Sequence, residues 1–348
     1  MTETLRSLKD DVEDEARRSA YLLPELLQEP PEERLRRIAN EPRFHAVKLC
    51  QLLQDRSRAD WFQEPARSLE SARLAVAVAD HLNEGRYGSG VVAEARARAW
   101  AHLGNSLRMN CKLRDAEQAL GKAAEHQRLS GDPLAESEIL AFTASLRHLQ
   151  GRSEETIVLL ERAFAISREI GDRLREGRVL ILKGTALGDA GRYREALRIL
   201  RKGRMRIDPE SEPELAFIAL HNIVLYLLNM GRPVEAKRMV GGQPRPVGRR
   251  LQTRFEWLDA LISQHLGRSG EAQSILWKVR EDFDDQRLPL EWAQVSLDLI
   301  SSLFRQGRPA EGRRLVEEVI PVLDHLDAER DARIARRLYL RLSPAAPS

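Results

Sequence analysis

The sequence predicts an all-α protein, a solenoid built from about six stacked helix pairs. The first observation is a recurring motif of a helix end, a glycine and a new amphipathic helix, as in DAGRYREALRIL at 189–200. The second observation is the period, since the copies lie 40, 40, 40, 36 and 40 residues apart. The aligned positions are Cys111, Gly151, Gly191, Gly231, Gly267 and Gly307. A constant period of about 20–50 residues is typical of solenoids, in which each repeat packs only on its neighbours.

Helical periodicity lies on both sides of each aligned glycine. Before Gly191, the apolar residues Val179, Leu182 and Ala186 follow the spacing of one helix face. A glycine just past a helix end suits the left-handed conformation in which helices commonly stop. Serine or proline, which favour a helix start, follows at Ser153, Pro233, Ser269 and Pro309. Each repeat is therefore expected to be two antiparallel helices joined by a tight turn.

The small and large apolar residues carry a family resemblance. The first full repeat places Trp100, Leu103, Gly104, Leu107, Ala116, Leu120 and Ala123 at the spacing of the tetratricopeptide repeat. Six such units in register cover residues 97–324, so this part of the chain resembles a tetratricopeptide repeat protein. The resemblance implies a right-handed α-solenoid whose first helices line a concave groove. A six-residue extension, visible in SGDPLAES (130–137), lengthens the usual repeat.

A second resemblance concerns longer blocks of sequence. RFHAVKLCQLLQDRSR, YGSGVVAEARARAWAHLGN and VSLDLISSLFRQGR resemble the repeat portion of bacterial regulatory proteins. In that family the array often follows an N-terminal zinc finger of the anti-sigma type. The N-terminal part of this sequence has no Cys/His cluster, so the zinc finger is missing. The resemblance implies a regulatory role in bacteria without establishing control of a sigma factor.

Four regions are expected along the chain. They are an N-terminal amphipathic helix with a proline-rich turn (1–41), an irregular leading unit (42–96), the repeat array (97–324), and a capping helix with a disordered tail (325–348). The residues NEGRYGSG (83–90) are predicted to be a plain loop. The helix at 1–28 places Leu5, Leu8, Val12, Ala16 and Leu23 on one side. That side is expected to pack on the array of a monomer, with dimerisation or a partner as alternatives.

Composition excludes several classes of protein. The net charge is only +3 over 348 residues, which argues against a general polyanion binder. The two cysteines, Cys50 and Cys111, are far apart, as expected in a reducing compartment without disulfides. The N-terminus lacks the apolar core of a signal peptide. The most apolar segment, FIALHNIVLYLLNMG (217–231), is too short to span a bilayer. A cytoplasmic protein without membrane contact is expected.

No pattern of residues predicts a catalytic, metal or cofactor site. The eight histidines form no His-x-x-x-His pair, and there is no Cys-x-x-Cys pair. Neither a phosphate-binding GxxxxGK[ST] loop nor a Gly-x-Ser-x-Gly elbow occurs. The sequence therefore predicts a protein that is not an enzyme and needs no cofactor.

The concave groove is the predicted binding site. In tetratricopeptide arrays the residue just after the small position of the first helix faces inward, and so do residues one turn away. The candidate groove residues are Asn105, Arg108, Ser145, His148, Thr185, His221, Arg254, Trp257, Leu261 and Phe304. We expect them to bind a peptide or helix of a regulatory protein, with Trp257 as anchor; packing in the core is the alternative for Trp257. Ala101 and Phe142 replace residues of the chaperone-binding carboxylate clamp, which argues against that role.

Two basic segments, 192–206 and 232–254, offer an alternative function. Their candidate residues are Arg198, Arg201, Lys202, Arg204, Arg249 and Arg250, which we expect mainly on second helices and the following turn, and thus on the outer surface and edge. Such a surface suits solvent, an acidic protein or a nucleic-acid backbone. The alternative is a nucleic-acid-associated or ligand-sensing transcriptional regulator, although aromatic residues for base stacking are scarce at 5%.

Overall fold

The computed structural model describes residues 2–62, 64–244, 246–326 and 328–342, with side chains from residue 13 onward. The eighteen helices of these residues are α1 Thr2–Gln28, α2 Pro31–Asn40, α3 Val47–Asp60, α4 Pro65–Asp80, α5 Glu84–Tyr87, α6 Ser89–Met109, α7 Leu113–Ser130, α8 Pro133–Leu149, α9 Ser153–Glu169, α10 Arg173–Asp189, α11 Tyr193–Arg204, α12 Pro213–Asn229, α13 Pro233–Gly241, α14 Arg249–His265, α15 Ser269–Asp285, α16 Pro289–Arg305, α17 Pro309–His325 and α18 Glu329–Leu342. A single-turn 3-10 helix occupies Pro42–Phe44, and the described residues contain no β-strand. The predicted all-α fold class is confirmed.

The six predicted helix pairs are present in sequence, from α6 and α7 to α16 and α17. Each aligned turn residue adopts a left-handed conformation: φ is 79° at Gly191 and 56° at Cys111, which takes the place of glycine in the first pair. Two close contacts between paired helices explain why glycine is needed in the first helix. A Cβ atom at Gly104 or at Gly184 would lie 2.6 Å from the leucine side chain of the paired helix. Glycine at these positions therefore lets the backbone of the first helix lie against a leucine side chain of the second helix.

The chain divides into two compact units, residues 1–146 and 147–348. The first unit holds α1 to α7 and most of α8. In it, α1 packs against α3, Leu26 is fully buried, and the Glu15 carboxylate accepts a hydrogen bond of 2.7 Å from the Tyr87 hydroxyl. The described side chains of the N-terminal helix therefore pack on the predicted leading unit, and packing on the array stays a prediction. Leu5, Leu8 and Val12 lie outside the described side chains, as the tail 343–348 lies outside the described residues.

One local expectation for the first unit was wrong. The segment 83–90 is not a plain loop, since it contains α5, whose first amides are capped by the Asn83 side chain. The proline-rich turn after α1 is short, and Pro31 starts α2 because proline fits the first helical position. The predicted region boundaries at residues 41, 96 and 324 stay predictions.

The second unit holds the later repeats. Its second helices shorten in the middle, with α11 spanning 12 residues and α13 spanning 9. The short helix α13 accounts for most of the shorter 36-residue spacing. A segment rich in glycine and proline, which includes Pro244 and Pro246, separates α13 from α14. The unit ends with α18, which packs on α16 and α17 through Ala332, Ala335 and Leu342. Among the described residues, no helix combines the length and apolar character that crossing a bilayer requires.

Candidate functional site

A cavity of about 320 Å³ lies on the inner side of the second unit. Its walls come from the first helices α10, α12, α14 and α16 and from the terminal helix α18. The apolar lining consists of Phe217, Ile218, Leu225, Trp257, Leu261, Leu297 and Ile334. The polar lining consists of Thr185, Asp189, His221, Asn222, Arg254, Glu291, Gln294, Asp298, Ser301, Arg330 and Asp331. On each first helix these residues recur every three or four positions, so they share the one face that turns inward.

Half of the predicted groove residues line this cavity. They are Thr185, His221, Arg254, Trp257 and Leu261. His148 lies at its margin, where its Nε2 atom is 3.0 Å from an Asp189 carboxylate oxygen. Phe304 is 46% exposed and lies outside the lining. Three other predicted residues belong to the first unit.

The predicted residues of the first unit form local contacts. The Arg108 guanidinium donates two hydrogen bonds to Oδ1 of the buried Asn105, at 3.0 and 2.8 Å. The Ser145 hydroxyl donates to the Ala141 carbonyl of its own helix at 2.9 Å. Each of these polar side chains has a hydrogen-bond partner within its own helix. A role for them in binding stays a prediction.

Trp257 is both a packed residue and a cavity residue. It is 7% exposed, and its ring lies 5.9 Å from that of Phe283 and 5.5 Å from that of His221. The indole Nε1 donates a hydrogen bond of 2.9 Å to Oδ2 of Asp298. Burial raises the pKa of Asp298 to about 6, although the hydrogen bond from Trp257 acts in the opposite direction. Trp257 therefore packs in the core and also lines the cavity, and its role as a binding anchor stays a prediction.

His221 presents an unused hydrogen-bonding atom in the lining. Its Nδ1 lies 3.2 Å from Oδ1 of Asn222, an arrangement that makes Nδ1 the donor. The Nε2 atom is then an acceptor; it is buried and has no hydrogen-bond partner among the described residues. Burial lowers the pKa of His221 to about 4, so the ring is neutral at pH 7. A buried acceptor without a partner costs free energy, which a donor from a ligand would recover.

Four charged side chains form a buried network beside this histidine. The Arg254 guanidinium lies 3.2 Å from Glu214 on α12 and 2.7 Å from Glu291 on α16. Arg250 also pairs with Glu291. Burial raises the pKa of Glu291, but the charges of Arg254 and Arg250 outweigh burial and hold it below its usual value. The network is formally neutral, and it ties together three successive first helices.

A second polar cluster surrounds Asp189 at the opposite side of the cavity. Its carboxylate lies 2.7 Å from the Arg330 guanidinium and 3.3 Å from the Tyr226 hydroxyl. Burial raises the pKa of Asp189, yet the hydrogen bond from His148 and the charge of Arg330 together hold it below its usual value. Asp189 is therefore a carboxylate at neutral pH, already neutralised by residues of this chain.

The predicted basic surface is only partly correct. Arg198, Arg201 and Lys202 are exposed on α11 around a shallow hollow, and Arg204 donates to Gln243 at 2.5 Å. Arg249 and Arg250 do not lie on a second helix, because α13 ends at Gly241 and both residues begin the inner helix α14. Arg249 pairs with Asp282 at 3.0 Å, and Arg250 joins the buried network. The expectation that Arg250 extends the outer basic surface was wrong, because its side chain is largely buried; Arg249 is exposed, but two carboxylates of α15 neutralise it.

Sequence reasoning missed several cavity residues. Asp189, Asn222, Glu291, Asp298 and Arg330 were not among the candidates. The sequence held one signal of the buried charged network. Glu214 lies as many residues before Gly231 as Arg250 lies before Gly267, and the two side chains carry opposite charges. The described part of the chain contains no group of three or more His, Cys, Asp or Glu side chains that could hold a metal ion.

Comparisons with known proteins agree with this architecture. Residues 137–204 and 293–318 each match a family model described as tetratricopeptide repeat. The chain contains tetratricopeptide repeats. No curated protein matches the sequence. The resemblance to regulators with an anti-sigma zinc finger stays a prediction.

Three solved structures share the fold over nearly the whole chain. A Rap protein complexed with competence and sporulation factor has a TM-score of 0.54 at 12% identity, covering 94% of this chain and 98% of that one. The apo quorum sensor NprR from B. thuringiensis has a TM-score of 0.53 at 14% identity, with 96% and 99% covered. The Rap conjugation gene regulator of plasmid pLS20, in complex with the Phr* peptide, has a TM-score of 0.52 at 12% identity, with 94% and 95% covered. At such identities the likeness establishes the fold alone.

Proposed function

We propose that this protein is a non-enzymatic adaptor that binds an extended peptide segment of a regulatory partner in the cavity of the second unit. The observation that carries the proposal is this cavity, whose lining includes His221 with a buried Nε2 atom that has no hydrogen-bond partner among the described residues. A backbone N–H of a bound peptide supplies the donor that this atom lacks. A bacterial cytoplasmic setting and a monomeric state belong to the same proposal.

The chemistry of the lining favours a peptide. Trp257, Leu225 and Leu297 offer apolar area for side chains, while Asn222 and Ser301 offer polar groups close by. Binding sites commonly combine a mostly apolar wall with a few fixed polar groups, at volumes of about 300–1,000 Å³. A cavity of about 320 Å³ holds a few side chains of a longer segment. Two of the structures with the same fold were solved with a peptide or signalling factor bound, which supports this choice of ligand class.

The charged groups of the cavity argue for recognition over catalysis. Arg254 and Glu291 neutralise each other, and so do Arg330 and Asp189. A nucleophile next to a general base would be needed for acyl transfer, and the described lining offers no such pair. Paired charges of this kind fix the orientation of helices and of a bound segment.

The test is a selection from a displayed library of random peptides with the purified full-length protein as bait. Binding of a selected peptide is then measured by fluorescence polarisation for the wild type and for Leu225→Glu, which places a charge in the cavity wall. Val158→Glu is the matched control, since Val158 is 66% exposed on the second helix α9. Leu225→Glu should weaken binding by about 30-fold or more, the size of a hot-spot loss of about 2 kcal/mol.

Thermal unfolding of both variants establishes that they are folded. The control should bind as the wild type does. Selected peptides that bind Leu225→Glu with unchanged affinity, or a selection that yields no specific peptide, would refute the proposal. Trp257→Ala is less suitable for this test because Trp257 is buried and its loss is expected to reduce stability as well.

A further inference from the structure

The terminal helix α18 makes contacts far from its place in the sequence. Nη1 of Arg330 lies 2.7 Å from Oδ2 of Asp189 and 3.1 Å from Nε2 of His148. Nη2 of Arg333 donates to the carbonyl of Gly151 at 3.4 Å. In a solenoid each repeat contacts its direct neighbours only. These contacts instead join the last helix of the second unit to its first turn and to α10.

Gly151 shows how closely the two ends approach. A Cβ atom at this position would meet the Arg333 guanidinium and would lie 3.7 Å from the Cβ atom of Arg330. The same glycine has a φ of 74°, as the turn after α8 requires. The backbone of α18 therefore rests directly against this turn.

The face of α18 that makes these contacts also forms a wall of the cavity. Arg330, Asp331 and Ile334 belong to the lining. Asp331 is buried and accepts a hydrogen bond of 2.8 Å from Gln294 on α16. Ile334 stays 39% exposed at the cavity. A segment bound in the cavity therefore lies against this face of α18.

The two attachments of α18 differ in strength. Towards α16 and α17 it buries Ala332, Ala335 and Leu342, which is apolar packing. Towards Asp189 and Gly151 it uses the charged side chains of Arg330 and Arg333, and both remain partly exposed to solvent. Partly exposed ion pairs contribute little to stability. The distant contact can therefore open while α18 stays packed on the last repeat.

We propose that α18 is an autoinhibitory clasp: Arg330, held by Asp189, closes the cavity, and a peptide enters when this contact opens. This inference rests on the proposed function for its ligand, and it adds how access to the same site is controlled. Opening separates the two ends of the second unit and exposes the lining between them.

A disulfide can hold the clasp shut. The variant Gly151→Cys/Arg330→Cys brings two Cβ atoms within the range of about 3.5–4.5 Å that disulfides require. The Arg333 tip, which is the flexible end of a long side chain, must move aside. Cys111→Gly removes a thiol from the background, and Cys50 is fully buried. The matched control is Gly151→Ser/Arg330→Ser, which cannot be closed.

Access to the cavity is measured without any ligand. Both proteins also carry Ser301→Cys in the lining, and N-ethylmaleimide labelling of this cysteine is followed by mass spectrometry. The oxidised pair should label about tenfold or more slowly than the serine control, because its open population is removed. Equal labelling rates in two proteins with the same melting temperature would overturn the clasp.

Peptide binding provides the second arm. This arm uses both proteins without Ser301→Cys. A peptide from the selection should bind the oxidised pair at least about tenfold more weakly than it binds the serine control. If the oxidised pair binds it equally well or more tightly, the clasp is overturned while the peptide site stands. If the selection finds no peptide, the proposed function fails and the labelling rates still decide whether α18 closes the cavity.

Discussion

The inner and outer surfaces of the second unit use arginine in different ways. On the inner side, Arg254 is largely buried and bridges Glu214 and Glu291 on neighbouring helices. On the outer side, Arg198 and Lys202 are exposed on α11 and form no salt bridge with any described residue. The sequence is rich in arginine at both places. The comparison shows that the position of a basic residue on the helix pair decides whether it bridges neighbouring helices or stays exposed to solvent.

The largest expected effect comes from breaking the inner network. Arg254→Met removes the cation that bridges the buried carboxylates of Glu214 and Glu291, so stability should fall by about 3–5 kcal/mol. Arg198→Met on the outer surface should leave the urea unfolding midpoint unchanged. Urea unfolding followed by circular dichroism compares the two variants. Similar losses for both would mean that the inner charges are solvated like the outer ones.

The pH dependence of stability that Asp298 causes gives a second test of the inner side chains. The pKa of Asp298 is raised to about 6 in the folded protein, so the folded state binds more protons than the unfolded state between about pH 4 and 6. Stability therefore falls as pH rises through this window. Asp298→Asn keeps an acceptor for Trp257 without a charge, and it should be more stable than the wild type by up to about 3 kcal/mol at pH 7.5.

At pH 5 the same substitution should gain about half as much, because the wild-type carboxyl is then mostly protonated. His221, with a pKa lowered to about 4, loses stability as pH falls, but it does so equally in both proteins. Unfolding free energies at the two pH values provide the measurement. A gain independent of pH would show that Asp298 is not the group that titrates.

The turn between an inner and an outer helix should give an intermediate effect. Gly191 has a φ of 79°, and no atom lies within 4 Å of the place where its Cβ would be. Gly191→Val therefore tests backbone strain alone and should cost about 1–2 kcal/mol. Gly121→Ala is the control, since this helical glycine also faces open space and should gain about 0.5–1 kcal/mol. An unchanged melting temperature for Gly191→Val would mean that the turn tolerates valine.

The smallest expected effect lies on the outer surface. Arg194, Arg198 and Lys202 are exposed at intervals of four residues along α11. Replacing all three with Gln should leave thermal unfolding unchanged, and neither protein should bind duplex or single-stranded DNA at about 50 mM salt. If the wild type does bind DNA, and the triple variant lowers the slope of log affinity against log salt by about 3, the outer surface is a nucleic-acid interface.

Local features of the fold could be predicted from the sequence. The 40-residue period, the glycine at each turn and the serine or proline after it act within a few residues of one another, so their pattern is visible along the chain. The inward rows placed Thr185, His221 and Trp257 correctly because helical spacing fixes which face a residue shares.

Long-range features could not be predicted in this way. Arg330 meets His148 only because the second unit brings its ends together, and 182 positions separate them in the sequence. Asp298 was missed because its role depends on burial by neighbouring helices. Arg250 was placed on the outer surface wrongly because a run of basic residues was read across the boundary between α13 and α14.

Photo-cross-linking tests the central claim most directly. A selected peptide carrying a benzophenone group is irradiated with the full-length protein, and the cross-linked residues are identified by mass spectrometry. The account predicts cross-links on the inner faces of α12, α14 and α16, close to His221, Trp257 and Leu297, with loss of these products in Leu225→Glu. Cross-links that instead fall on the exposed residues of α11 and α13 would contradict it.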